Sequence, residues 1–320
     1  MATIRGSVTY NEGTPAAGAA VRVHEDDDAT ADDRSARRTV RADGTYTVSL
    51  DWSDEGPLEL PRFRFTASAD GRNHAGPLFV FGGLAAPIVL PFPPPQPVKK
   101  STRDLVQVIL LSKDYEGAER ALYEFIEVST ETLTSTMLGD DYREVTFVKG
   151  EDATLQGVVA TLDAVAARSG TRAVDLIFSS HGFTDRMLFW DGKKSGRAVR
   201  DAFGDIADDR RAKFRALFST ACIGHTHTDD WRAIGFTEAM GSKGIYADSA
   251  VSYAPMLSAW AGGRTFGESV DAANAADVLD AADEFARTFY RVRNQPERAE
   301  KVDSTRVRRG PGKTRIWSSP

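Results

Sequence analysis

The chain has 320 residues, 41% hydrophobic and 27% charged, with a formal net charge of -6. That length suits two domains better than one core, the composition is that of a folded globular protein, and the acidic balance gives no general affinity for nucleic acid. A single cysteine excludes an internal disulfide, and nowhere do about 18 apolar residues run together to make a membrane-spanning helix.

The opening "MATIRGSVTY" has no apolar stretch behind a basic one. No signal peptide is expected, and a cytoplasmic location is the default. Short alternating runs come next: "IRGSVTY", "AAVRVHE", "RRTVRADGTYTVSL", "FRFTASADG" and "APIVL", separated by turn signals such as Asp43-Gly44 and Asp70-Gly71. Strict alternation with Asp-Gly turns predicts antiparallel strands with one buried face, so residues 1–92 read as a small β-sandwich. The acidic run "HEDDDATADD" lacks the turn glycine and ligand spacing of a calcium loop and reads as solvated. Residues 93–101, at the core of "PFPPPQPVKKS", read as an extended, semi-rigid spacer.

Beyond the spacer, apolar strands alternate with amphipathic helices. "DLVQVILLS", "REVTFVKG", "AVDLIFSSHG", "KFRALFSTACIG" and "GIYADSAV" are the predicted strands. Residues 102–293 therefore form an α/β domain of three layers, a mainly parallel sheet covered on both faces. "RMLFWDGKKSG" interrupts the alternation as a hairpin or flap. Residues 294–320 are basic and rich in turn residues, and read as an extended or mobile tail.

Two strands end in reactive groups. "DLIFSS" runs into His181-Gly182, and "ALFSTA" into Cys222-Ile223-Gly224, with 41 positions between His181 and Cys222. Ligands of open α/β sheets bind at the carboxyl ends of the strands, and right-handed crossover sets neighbouring strand tips on one edge. A free thiol has a pKa of about 8.5, so a neighbouring imidazole is needed to make it a nucleophile near neutral pH. Gly182 lets backbone approach a bound carbonyl, and its N–H with that of Cys222 would form an oxyanion hole. Against this stands the plainer role of a lone cysteine as a small buried hydrophobe. Asp175, at the start of its strand, is too far from the tip to orient His181 and reads as structural.

"VDLIFSSHG" followed by "RALFSTACIG" resembles the paired His-Gly and Ala-Cys signatures of the caspase-like cysteine peptidases, which include gingipains and legumains. The segment "GSKGIYADSAVSYAPMLSAWAGGRTFGESVDAAN" resembles the strand, loop and helix after the cysteine in bacterial members, and the likeness spans about residues 103–292. It implies a cysteine endopeptidase acting on proteins or peptides without a cofactor. His181 would be the general base and acid, Cys222 the nucleophile and Gly182 an oxyanion donor. The loop "ADSAVSYAP" would build the first specificity pocket. Asp248 would receive a basic P1 side chain and Tyr253 would form a wall; the alternative makes Asp248 a loop cap and Tyr253 packing. Asp229 and Asp230 are rival sources of pocket charge, and the lean is towards basic P1. "GSVTY…GTPAAGAAVRV…DGTYTVS" resembles the transthyretin-like, carboxypeptidase-regulatory-like sandwiches, which implies a non-catalytic module that recruits a substrate or partner protein. Two other readings stay open. One is a catalytically silent scaffold of the same fold. The other is a metal-dependent hydrolase using His225 and His227, whose alternation on an extended segment would turn both rings to one side.

Overall fold

The computed structural model describes residues 2–10, 13–25, 35–50, 62–69, 72–75, 79–80, 88–90, 98–247, 249–276 and 280–320. Most of the acidic run, and residues 91–97 of the proline-rich spacer, lie outside the described residues. The chain divides into two units, Met1–Gln96 and Pro97–Pro320.

The first unit is all-β. Its strands are β1 (Ala2–Tyr10), β2 (Ala20–Glu25), β3 (Ser35–Thr39), β4 (Thr45–Leu50), β5 (Arg62–Ala69), β6 (Arg72–Ala75), β7 (Phe79–Val80) and β8 (Ile88–Leu90). One sheet has the order β4-β1-β8 and the other β3-β2-β5-β6, with β7 also on β5. Alternate residues point between the sheets, where Val8, Val21, Val23, Val48, Phe65, Ala67 and Leu90 are buried together. β8 runs parallel to β1, a pairing that local alternation does not encode.

The second unit is α/β, with a mainly parallel sheet. Its elements begin with β9 (Arg103–Leu110), α1 (Gly117–Leu138), β10 (Glu144–Lys149), α2 (Leu155–Ala167) and β11 (Ala173–Ser180). A small meander comes after them: β12 (Gly182–Phe183), β13 (Arg186–Phe189) and β14 (Gly192–Ser195). Next come α3 (Gly196–Phe203), α4 (Asp208–Arg211), β15 (Phe214–Ser219), a 3-10 turn (Gly224–His227), α5 (Thr228–Ala233) and β16 (Glu238–Ser242). The chain ends with α6 (Ser249–Ala261), α7 (Phe266–Ala276), α8 (Ala281–Val292), α9 (Pro296–Ala299) and β17 (Arg306–Arg309).

The sheet order is β10-β9-β11-β15-β16-β17. Its first five strands are parallel and β17 is antiparallel. Every residue of β9, β11, β15 and β16 is buried, as near-continuous apolar runs demand when both faces are covered. One face packs Leu155, Val158 and Leu162 of α2 with Phe203 of α3 and Trp231 of α5. The other packs Leu138 with Tyr253, Met256 and Trp260 of α6 and with Phe266 and Val270 of α7. Among the described residues no helix is long and apolar enough to cross a membrane.

Residues 294–320 are not a free tail. β17 closes the sheet edge beside β16, and Thr314 and Ile316 are buried. The reason is a single carboxylate. Glu238, fully buried in β16, accepts hydrogen bonds from the backbone N–H of Gly312 (2.8 Å), Lys313 (2.9 Å) and Thr314 (3.2 Å), and from the Thr314 hydroxyl (3.0 Å). A buried charge needs such donors, and the turn-rich "GPGKT" supplies them by wrapping round it.

A second buried charge sits at the centre of the sheet. Asp175 of β11 pairs with Arg215 of β15, and both side chains are fully buried. The carboxylate also accepts from Tyr142 Oη (2.6 Å), Arg215 Nε (3.0 Å) and the Ala216 N–H (3.0 Å). Arg215 Nη1 donates onward to the carbonyls of Ile316 (2.7 Å) and Ser318 (2.6 Å). The register between the two strands slips at this point. An offset of 40 between Val174 and Phe214 becomes 41 between Leu176 and Leu217, and stays 41 through Phe178 and Ser219. β15 therefore carries an extra residue opposite Asp175, and the carboxylate satisfies the N–H that the bulge releases.

Asp175→Ala leaves Arg215 buried without its counter-charge. The second unit is expected to lose about 3–5 kcal/mol, read from urea unfolding followed by tryptophan fluorescence. The double replacement Asp175→Leu with Arg215→Met is expected to lose less than Asp175→Ala alone.

Candidate active site

β11 and β15 are parallel neighbours, and the 41-residue offset set at the bulge carries to their tips. Phe178 stands opposite Ser219, so His181 and Cys222, each three residues further on, leave the sheet at the same level. The loops then touch. A Cβ added to Gly182 would run into the carbonyl oxygen of Cys222. Two more contacts tie the loops together: His227 Nε2 to the Phe183 carbonyl (2.8 Å), and the Asp185 N–H to Thr226 Oγ1 (3.2 Å).

Cys222 is half-buried, and the residue after it is strained. Ile223 has φ of +53°, in the left-handed region that a β-branched residue rarely enters. Its N–H donates to the Gly244 carbonyl (2.7 Å), and its own carbonyl accepts from the Thr226 N–H (3.1 Å) and hydroxyl (2.9 Å). Beneath the turn, a Cβ on Gly224 would stand 3.1 Å from the Gly241 Cα, so the loop lies backbone to backbone on β16. These contacts hold the thiol at the strand tip. The Tyr246 N–H donates to its sulfur at 3.4 Å. Burial pushes the Cys222 thiol upward, and the Tyr246 N–H and the Arg298 charge offset part of that shift.

His181 is fixed from its far side. Its Nε2 lies 2.7 Å from the Leu111 carbonyl. A carbonyl only accepts, so Nε2 carries the proton and Nδ1 presents the lone pair. Glu127 of α1 holds that stretch of backbone, accepting from the N–H groups of Leu111 (2.5 Å) and Ser112 (2.9 Å) and from the Ser112 hydroxyl (3.1 Å). Tyr115 and Tyr123 stack with centroids 4.2 Å apart, and each ring centre lies 5.3 Å from that of His181. Burial pulls the imidazole below its ordinary value, against the opposing pull of the Leu111 carbonyl and of Asp114 and Glu127. Both shifts favour neutral thiol and neutral imidazole. Among the described residues no hydrogen bond joins His181 to Cys222.

The expected pocket residues that are described have separate surroundings. Tyr253 is 3% exposed, in the core under the sheet, with its hydroxyl 2.6 Å from Thr134 Oγ1 and 3.1 Å from Gln107 Nε2. It belongs to a helix, where Tyr253, Met256, Leu257 and Trp260 form one apolar stripe. Asp229 is exposed on α5, with Arg309 at 3.9 Å, and Asp230 is paired with Arg200. Asp248 lies outside the described residues. The metal candidates separate as well. His225 and His227 lie in a 3-10 turn, where residues two apart diverge. His225 Nδ1 faces the Ser242 carbonyl (3.1 Å), and His227, fully buried, faces that of Phe183. Among the described residues no group of three or more histidine, cysteine or acidic side chains is placed to hold a metal ion. Sequence reasoning missed Leu111, Glu127, Tyr115 and Tyr123. Only the helical spacing of Tyr123 and Glu127 on one face of α1 offered a signal.

No protein-family model matches the chain, and no curated relative does. Among solved structures it is similar to a secreted C11 cysteine protease of Bacteroides thetaiotaomicron, iotapain, with 10% identity and a TM-score of 0.36 over 54% of this chain and 61% of that one. The chain thus spans about three fifths of the length of that structure. The expectation of a cytoplasmic location is withdrawn: the similar structure is that of a secreted protein, and a single cysteine fixes no compartment.

With burial raising the thiol, alkylation of Cys222 by iodoacetamide is expected to climb with pH to a midpoint above that of a free cysteine, whose pKa is about 8.5. Mass spectrometry reads it without background from other thiols. Glu127→Ala frees the Leu111 backbone and removes a charge that favours the protonated ring, and is expected to shift the titration of His181, followed by imidazole NMR, further below that of an exposed histidine.

Proposed function

We propose that the Pro97–Pro320 unit is a cysteine peptidase with Cys222 as nucleophile and His181 as general base and acid. The observation that carries this reading is the common level of the two strand tips, with the Nδ1 lone pair of His181 left free by the Leu111 carbonyl. His181 Nδ1 takes the thiol proton as sulfur bonds to the scissile carbonyl carbon. The backbone N–H groups of Gly182 and Cys222 are the proposed donors to the oxyanion, a contribution of about 100- to 1000-fold per donor in comparable sites. Collapse breaks the C–N bond, and the proton on His181 passes to the departing amine. Water then attacks the thioester, giving its proton to His181, and release of the acid restores the thiol. Protons and electron pairs balance within these two side chains, so the hydrolysis calls for no cofactor.

A basic P1 preference is not part of this reading: Tyr253 is packed in the core, and Asp248 lies outside the described residues. The first unit is assigned the role of recruiting substrate or a partner protein. A second reading, a silent scaffold, draws on the missing hydrogen bond between His181 and Cys222. Catalytic contacts are often loose before substrate binds, which favours the peptidase.

A positional peptide library and an electrophilic peptide probe separate the two. Peptide cleavage and stoichiometric labelling are expected, with Cys222→Ala abolishing both and His181→Ala slowing turnover by about 100-fold or more. A thiol that ignores peptide electrophiles and cleaves nothing leaves the scaffold.

A further inference from the structure

A cationic side chain lies on the cysteine side of the candidate site. The segment after α9 is stitched to the loop that carries Tyr246: the Lys301 carbonyl accepts from the Ile245 N–H (2.7 Å), the Asp303 carbonyl from the Gly244 N–H (2.8 Å), and Val302 bridges Ile245. Tyr246 in turn donates to Cys222 Sγ. α9 therefore stands at the sulfur side of the site, and Arg298 is its basic residue.

Arg298 is exposed. Its guanidinium lies 5.6 Å above the Tyr290 ring, and its one polar contact is a bond of 3.3 Å to Gln295 Oε1. Neighbouring arginines are neutralised: Arg287 by Asp280 and Glu284, Arg291 by Glu284, Arg293 by Glu119. Among the described residues no carboxylate pairs with Arg298. Its charge reaches both Cys222 and the half-buried Tyr290. An arginine steadied on an aromatic face, with its donors unspent, is suited to a carboxylate.

We propose that Arg298, held over Tyr290, receives an acidic side chain of the substrate close to the scissile bond, so that the site selects acidic peptides. The substrate class rests on the peptidase reading; the positive field at Cys222 does not.

The test uses the full chain and two pairs of reagents. Iodoacetate and iodoacetamide differ in charge and report the field at the chain's single thiol. Arg298→Ala is expected to lower the iodoacetate-to-iodoacetamide rate ratio by about threefold or more, Arg298→Glu to lower it further, and Arg293→Ala to leave it unchanged. Raised salt is expected to bring the wild-type ratio towards that of Arg298→Ala. Electrophilic peptides with Glu or Gln beside the reactive group form the second pair. The wild type is expected to react faster with the Glu probe, and Arg298→Glu to prefer a Lys probe. A ratio indifferent to both Arg298 variants overturns the proposal. So does equal labelling of the wild type by Glu and Gln probes, whatever the small reagents show. Failure of the peptidase reading appears separately, as absent hydrolysis of every peptide while the labelling preference persists.

Discussion

One buried carboxylate sets the geometry on which the site depends. Asp175 lies where β15 takes in an extra residue, accepting from the N–H that this releases and binding the Arg215 side chain. Above it the strand offset is 41, the separation of His181 and Cys222; below it the offset is 40. A slip of one residue turns a strand's side chains to opposite faces. Without the bulge Cys222 would stand one residue out of step with His181. An ion pair in the two central strands, near their amino ends, thus sets the level at which His181 and Cys222 leave the sheet.

The two reactive side chains are held mainly by backbone. The Leu111 carbonyl sets the tautomer of His181, Glu127 sets Leu111, and the Tyr246 N–H meets the sulfur. On the cysteine side a left-handed isoleucine costs about 1–2 kcal/mol, and it is kept in place by hydrogen bonds at both its N–H and its carbonyl. Burial keeps thiol and imidazole neutral. In the proposed hydrolysis, proton transfer would then accompany attack on substrate instead of preceding it.

The legible part of the sequence was its short-range pattern. Unbroken apolar runs marked the central strands, because strands covered on both faces have no polar side to show. Alternation marked the first unit, and the spacing of His181 and Cys222 placed both at strand ends. Long-range partners escaped. The basic composition after residue 294 suggested solvent, yet the decisive contact is with Glu238, some 70 residues earlier. Tyr253 reads as a loop residue from the turn signals before it, yet its apolar stripe with Met256, Leu257 and Trp260 is helical. His225 and His227 were given an extended backbone, and the tight turn separates them. The carbonyl that holds His181 has no side-chain signature at all.

The solitary thiol also defines how this chain meets oxidants. A sulfenic acid formed at Cys222 finds no second cysteine among the 320 residues with which to close a disulfide. Rescue must come from an external thiol; otherwise further oxidation to the sulfinic acid is irreversible. The protection left to it is kinetic: a sulfur kept protonated by its surroundings reacts slowly with peroxide.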